Sequence, residues 1–109
     1  MIEPGPLFKD NLNQLPSIEG VARVDFLDAD GAVVDSIPHA PGKLGSLAVY
    51  QYLQQVFGGL DAKAAEHGLA VFAEHVPDAR ANPGAHPNVD RLLDIAAGAP
   101  ALRIAVVTA

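Results

Sequence analysis

The chain has 109 residues, half of them apolar, which is typical of one domain with a hydrophobic core. Seven basic and thirteen acidic side chains give a formal charge of −6, which argues against binding of nucleic-acid phosphates. Because the sequence contains no cysteine, disulfides, thiolate zinc sites and cysteine nucleophiles are excluded. We find neither a signal-peptide pattern nor an apolar run long enough to span a membrane, and therefore expect a cytoplasmic protein without a membrane partner.

The start of the chain predicts an arm followed by a short helix. Residues 1–6 contain two prolines and a glycine, and we expect them to form a loose arm. Residues 7–109 are expected to form a single α+β domain. Apolar residues spaced as on one helical face, beginning with Phe8 and Leu12, predict a short helix that ends before Pro16.

A β-hairpin is the next predicted element. Apolar and polar side chains alternate over residues 21–27, which is typical of a half-buried strand. The turn sequence Asp28–Gly31 follows, and Gly31 can adopt the left-handed conformation that closes a short hairpin. Residues 32–37 are expected to form the returning strand.

Three helices and a final strand complete the predicted fold. The helices are bounded by glycine, proline or capping residues. They run from Lys43 or Gly45 to Phe57, from a cap at Asp61 to about Val76, and from a cap at His86 or Asn88 to about Ala96. Pro77 is expected to end the second of them at His75 or Val76. A β-branched run predicts a strand over residues 102–107. The sequence thus predicts an α+β fold with a small, mainly antiparallel sheet and helices packed on one face.

A candidate metal site consists of His75, Asp78 and His86. Two imidazoles and a carboxylate suit Zn, Fe(II) or Mn, and a hydrolytic role would use Glu74 as general base. Asp90 is a weaker candidate ligand because it projects away from the apolar face of its helix. The alternative is that His75 stabilises a helix C-terminus through the helix dipole and that His86 is a surface residue.

A candidate anion site consists of Lys43, Ser46 and His39. A lysine at a helix N-terminus after a proline- and glycine-rich loop can hold an anion. The P-loop pattern is absent, because Ile37 replaces its first glycine and Leu44 replaces the serine or threonine after the lysine. The alternative is ordinary capping of the helix by the preceding loop.

Two further motifs fail. An EF-hand register would place Phe26 and Ile37 at calcium-ligand positions, so the acidic turn is not a calcium loop. No serine lies in a Gly-x-Ser-x-Gly elbow. A serine–histidine pair formed only by the fold stays open.

Three stretches carry a resemblance to a known family. They are Phe8-Lys9-Asp10-Asn11-Leu12 with Leu15-Pro16-Ser17-Ile18, then Pro41-Gly42-Lys43-Leu44-Gly45-Ser46-Leu47-Ala48-Val49-Tyr50, and then Asn82-Pro83-Gly84-Ala85-His86-Pro87-Asn88-Val89-Asp90-Arg91-Leu92. From about Leu7 to Val107 the chain resembles a family of small bacterial proteins classified as domain of unknown function 2322. The family has no assigned activity, so the resemblance implies a stand-alone bacterial protein and identifies no catalytic residues.

Composition favours a non-enzymatic binding or protein-interaction module. Charged residues make up only 18% of the chain and the mean hydropathy is +0.20, which leaves apolar surface for a partner to cover. Self-association is the simplest way to cover it, so we expect a homodimer. The alternative is a metal-binding protein or metal-dependent hydrolase with a divalent ion such as zinc on His75, Asp78 and His86.

Overall fold

The computed structural model describes all 109 residues and contains five helices and one three-stranded sheet. The helices are α1 (Phe8–Leu12), α2 (Leu44–Phe57), α3 (Ala62–Phe72), α4 (His75–Ala81) and α5 (Pro87–Ala96), and the strands are β1 (Val21–Leu27), β2 (Val33–Pro38) and β3 (Arg103–Thr108). The strand order is β2-β1-β3, and both pairings are antiparallel. The predicted α+β fold is therefore confirmed. No helix is long and apolar enough to cross a membrane.

The hairpin of β1 and β2 closes as predicted. Gly31 has a φ of +85°, and the Asp28 carboxylate accepts hydrogen bonds from the backbone N–H groups of Asp30 and Ala32 at 2.9 and 3.0 Å. A positive φ favours glycine because it places a Cβ too close to the backbone. The inner face of β1 presents Phe26, which is fully buried under the helices.

The hydrophobic core lies between the sheet and the helices. Helix α2 contacts all three strands, and α3 packs against both α2 and α5. The largest fully buried side chains of the core come from β1, β2, α2, α5 and the loop before α3. They include Phe26, Ile37, Leu47, Tyr50, Leu53, Leu60 and Leu92. One continuous hydrophobic cluster therefore joins the sheet to the helices.

The predicted single helix from Asp61 to about Val76 is wrong in one respect. Asp61 does cap its start, but α3 ends at Phe72, and Ala73 has a φ of +51°, the only positive value at a non-glycine residue. A separate helix, α4, then begins at His75. Pro77 lies in the first turn of α4, where the missing N–H of proline costs nothing because that donor has no intrahelical partner. Four helices rather than three therefore follow the hairpin.

Residues 1–6 are hydrogen bonded to the body of the domain through the side chains of Asn11, Gln14 and Tyr52. Asn11 has no exposed surface, and its Oδ1 accepts from the Gly5 N–H at 2.8 Å. Its Nδ2 donates to the carbonyls of Gly5 and Val71 at 3.1 and 3.0 Å. The Ile2 N–H donates to the hydroxyl of Tyr52 at 3.1 Å. Asn11 thus joins the start of the chain to α3.

A Gly68→Ala substitution is expected to destabilise the protein, although alanine is normally the better helix former. A Cβ at this position would lie 2.8 Å from Leu92 Cδ1 and 3.0 Å from Leu53 Cδ1, and both leucines are fully buried. Overpacking of about 1–3 kcal/mol outweighs the gain in helix propensity, so we expect a net loss of about 1 kcal/mol in the free energy of unfolding. Urea denaturation measures this loss, with Ala70→Ser at an exposed site of the same helix as control. A gain in stability from Gly68→Ala would contradict close packing of α3 on α5.

Candidate functional site

A cavity of about 220 Å³ lies where all five helices and their connecting loops meet. It is bordered by α1, the N-terminus of α2, the C-terminus of α3, the start of α4 and the N-terminus of α5. Its lining residues are Phe8, Gly42, Lys43, Ser46, Phe72, His75, Ala85, His86, Pro87, Asn88 and Val89. The cavity brings together residues of both candidate sites, since Lys43 and Ser46 lie opposite elements that carry His75 and His86.

The N-terminus of α2 contributes positive charge to this cavity. Lys43 is the N-cap residue and is exposed, and its side chain makes no ion pair. The backbone N–H groups of Leu44, Gly45 and Ser46 donate to no carbonyl or side chain. Unpaired N–H groups and the helix dipole together favour an anion at this end of a helix.

Aromatic rings form the apolar wall of the cavity. Phe8 stacks on Phe72 with ring centroids 5.1 Å apart, and the His75 ring meets Phe8 edge-on at 5.0 Å. Gly45 permits this approach of α1 to α2, because a Cβ there would lie 3.1 Å from Phe8 Cε2. The wall therefore depends on a glycine in the first turn of α2.

The two candidate metal-ligating histidines are neighbours. The rings of His75, at the start of α4, and His86, at the start of α5, lie 5.8 Å apart. Asp78 forms a short hydrogen bond with Nε2 of His86. That hydrogen bond lowers the pKa of the Asp78 carboxyl, with a further contribution from an amide hydrogen bond of Asn82. The Asp78 side chain is therefore an ionised carboxylate, and its hydrogen bond orients the imidazole of His86.

The N-terminus of α5 forms another wall of the cavity. His86 is its N-cap residue and Pro87 its first residue, and the N–H of Asn88 has no hydrogen-bond acceptor. The hydroxyl of Tyr50 donates to the carbonyl of Asn88. Burial raises the pKa of Tyr50 to about 12, so this hydroxyl remains a donor at neutral pH. The core thus anchors the helix end that carries His86.

No group of three or more histidine, aspartate or glutamate side chains is placed to hold a metal ion. Asp90 instead accepts a hydrogen bond from the Gly84 N–H at 2.9 Å. Glu74 accepts from the Phe8 N–H at 2.8 Å, and its carboxylate lies 4.0 Å from Nε2 of His75. The structure brings His75, Asp78 and His86 together, but a metal ion on them stays a prediction.

His39 does not line the cavity. Its Nδ1 lies 2.7 Å from the carbonyl oxygen of Val21, beside the start of β1. A second cavity of about 140 Å³ adjoins the first, and the two share Lys43, Pro87 and Asn88. Of the three residues predicted to hold an anion, the fold therefore places Lys43 and Ser46 in the same cavity.

Sequence reasoning missed the contribution of α5 to this site. The sequence predicts His86 and Asn88 only as alternative caps of this helix, and Phe8 only as part of the apolar face of a short helix. Pro87 was the available signal, because proline is favoured at the first position of a helix and marks His86 as its N-cap residue. That Lys43 lies beside this helix end follows from tertiary packing and not from a local pattern.

The lining of the first cavity contains no acidic residue. Thirteen of the 109 residues are aspartate or glutamate, and each of the other three cavities includes at least one of them. The first cavity instead has one lysine and two histidines. The first cavity of this acidic chain is therefore lined by no carboxylate. The nearest ones, Asp78 and Glu74, lie beside His86 and His75 and are not lining residues.

Comparisons with known proteins give one finding. A family model described as "uncharacterized protein conserved in bacteria (DUF2322)" matches residues 8–106. The search of curated proteins and the search of solved structures returned no match. Because the matched region covers nearly all of the chain, this protein belongs to the bacterial family DUF2322.

Proposed function

We propose that the protein is a binding module for a small anion, a phosphate or a carboxylate, held in the first cavity. The observation that carries this proposal is the absence of acidic residues from a lining that includes Lys43, His75 and His86. In a chain of net charge −6, a ligand of negative charge is repelled by most of the surface. In the first cavity, basic side chains without neighbouring lining carboxylates attract such a ligand instead.

Helix ends add to the attraction for an anion. Free N–H groups of α2 and of Asn88 border the same cavity, and both helices direct their positive dipole ends toward it. The volume of about 220 Å³ is below the range of about 300–1,000 Å³ that holds drug-sized ligands. These features favour a small metabolite with one anionic group near Lys43 and an apolar part against Phe8.

We expect inorganic phosphate or acetate to bind in this cavity and Lys43→Ala to weaken that binding by about tenfold or more. Lys43 is the only lysine or arginine in the lining, so this substitution removes the one permanently charged basic side chain there. Titration followed by ¹H–¹⁵N NMR should shift the amide signals of Leu44–Ser46 and of Asn88 first. Lys63→Ala, which removes an exposed lysine outside the cavity, is the matched control and should leave the affinity unchanged.

Two outcomes would contradict the proposal. One is the absence of saturable shifts at either helix end, and the other is an equal effect of Lys43→Ala and Lys63→Ala. Zinc, added in a separate titration, distinguishes the metal hypothesis. If zinc raises the Tm of the native protein but not that of a His75→Ala, His86→Ala double variant, the histidines form a metal site.

A protein-interaction role and a homodimer remain predictions. The feature that favours them is the edge strand β2, where Val33 and Val34 are 56% and 54% exposed. An unpaired edge with apolar side chains can pair with another strand. This surface belongs to the hairpin, whereas the proposed anion site lies among the helices, so the two roles are compatible.

A further inference from the structure

We propose that His86 accepts a phosphoryl group on its Nδ1 atom from a small activated phosphate, such as an acyl phosphate or a phosphoramidate. This inference rests on the proposed function, because the phosphoryl group of the donor must first bind in the first cavity. It assigns to the protein a transfer step that goes beyond binding.

The geometry around His86 leaves one ring nitrogen free to act as a nucleophile. Nε2 is engaged by the carboxylate of Asp78, which is itself held by the side-chain amide of Asn82 at 3.0 Å. A proton on Nε2, donated to the carboxylate, places the lone pair of the neutral ring on Nδ1. The ring is half-buried and lines the cavity, so Nδ1 is the nitrogen available to a ligand.

The other three histidines lack this combination. His39 uses Nδ1 for a contact with the Val21 carbonyl and lies outside the cavity. Nε2 of His67 lies 2.7 Å from the hydroxyl of Tyr52, away from the cavity. His75 lines the cavity, but its nearest carboxylate, Glu74, is 4.0 Å away and is used by a backbone N–H.

The cavity can stabilise a phosphoryl group during transfer. Lys43, the Ser46 hydroxyl and the free N–H groups at the start of α2 are donors for its oxygens. Preorganised donors of this kind are the main source of catalysis in phosphoryl transfer. Because the lining has no acidic side chain, nothing in it repels the developing charge.

The transfer step is balanced without a further reactant. The Nδ1 lone pair forms the P–N bond while the bond from phosphorus to the acyl oxygen breaks, and its electron pair leaves with the carboxylate product. With phosphoramidate the P–N bond of the donor breaks instead, and its amino group, already protonated, leaves with that electron pair as ammonia. The ring then carries a positive charge and keeps its proton on Nε2. The Asp78 carboxylate stabilises that cationic ring, as a carboxylate stabilises the imidazolium of a catalytic triad.

Incubation with acetyl phosphate and, separately, with phosphoramidate tests the proposal. ³¹P NMR at alkaline pH identifies a phosphohistidine, and mass spectrometry of peptides locates it. We expect one phosphoryl group per chain on His86, formed about tenfold or more faster than on the exposed His39, because only His86 has an oriented ring beside a bound phosphate. His86→Gln should abolish this modification, whereas His39→Gln should leave its rate unchanged.

Asp78 is a positioning residue in this scheme. Asp78→Asn should slow labelling of His86 by about tenfold or more without weakening the binding of inorganic phosphate, because it removes a negative charge beside the cavity, and Asp78→Glu should restore part of the rate. Labelling of His75 in place of His86, or labelling of His86 no faster than His39, would overturn the inference. If phosphate binds in the cavity but His86 is not labelled, the binding function stands and the transfer step is refuted; if phosphate does not bind, both are refuted.

Discussion

Replacing Asn11 by aspartate is expected to lower the free energy of unfolding by about 3 kcal/mol at pH 7, the scale of an uncompensated buried charge. Asn11 has no exposed surface, and its Nδ2 donates to the carbonyl oxygens of Gly5 and Val71. A carboxylate would lose both donors and place its negative charge against two carbonyl dipoles. The substitution would leave the side-chain volume almost unchanged, so the loss is electrostatic.

The pH dependence of that variant provides an independent check. Burial and the facing carbonyls disfavour the charged form of an aspartate at this site, so its pKa would be higher in the folded state than in the unfolded state. Such a group costs stability above its unfolded pKa and costs less as the pH falls, so the gap to the native protein should narrow in acid. Urea denaturation at pH 7 and pH 4 measures both quantities.

Asn13→Asp is the matched control for this experiment. Asn13 is exposed and follows α1 directly, so the same chemical change there costs little. If Asn11→Asp were no more destabilising than Asn13→Asp, the buried amide would not connect the start of the chain to α3.

Much of the fold could be predicted because its signals are local. The strand β1 and the conformation required at Gly31 are predicted from neighbouring residues alone, and the structure confirms both. The predicted alternation is interrupted at Asp25, which is buried between Val24 and Phe26 because it bonds to Arg23 and Ser36.

The break between α3 and α4 could not be predicted in the same way. Proline disfavours helix at the residue before it, but it is tolerated in the first turn of a helix, where Pro77 lies. The positive φ of Ala73 has no signal in the sequence.

The candidate site shows the same division between local and tertiary signals. Lys43 at a helix start and His86 beside a proline were each visible in the sequence as parts of separate hypotheses. Their meeting at one cavity depends on α2 and α5 both packing against α3, and on the hydrogen bond from Tyr50 to the Asn88 carbonyl. Contacts of this kind link residues far apart in the chain, so periodicity and spacing do not encode them.

Arg91 makes several of these contacts, and Arg91→Ala is expected to lower the free energy of unfolding by about 2–3 kcal/mol. Its guanidinium lies 4.0 Å from the centre of the Phe26 ring and 5.3 Å from that of Tyr50. The same group donates to Asn88 Oδ1 at 3.0 Å and forms an ion pair with Asp35 of β2. The side chain is only 11% exposed, so alanine would remove cation–π contacts, hydrogen bonds and packing together.

The substitution should also weaken anion binding, although Arg91 does not line the first cavity. Without the ion pair to Asp35 and the contact with Phe26, the N-terminal half of α5 loses an attachment to the sheet, and Asn88 loses its side-chain hydrogen bond. Urea denaturation and the phosphate titration measure the two effects, and Arg80→Ala, at an exposed site in α4 without hydrogen bonds, is the control for loss of charge. Arg91→Lys should be intermediate, since it keeps the charge but not the planar fork that spans Asn88 and Asp35. If Arg91→Ala lowered stability but left phosphate affinity at the native value, the N-terminus of α5 would not depend on Arg91 for its place in the site.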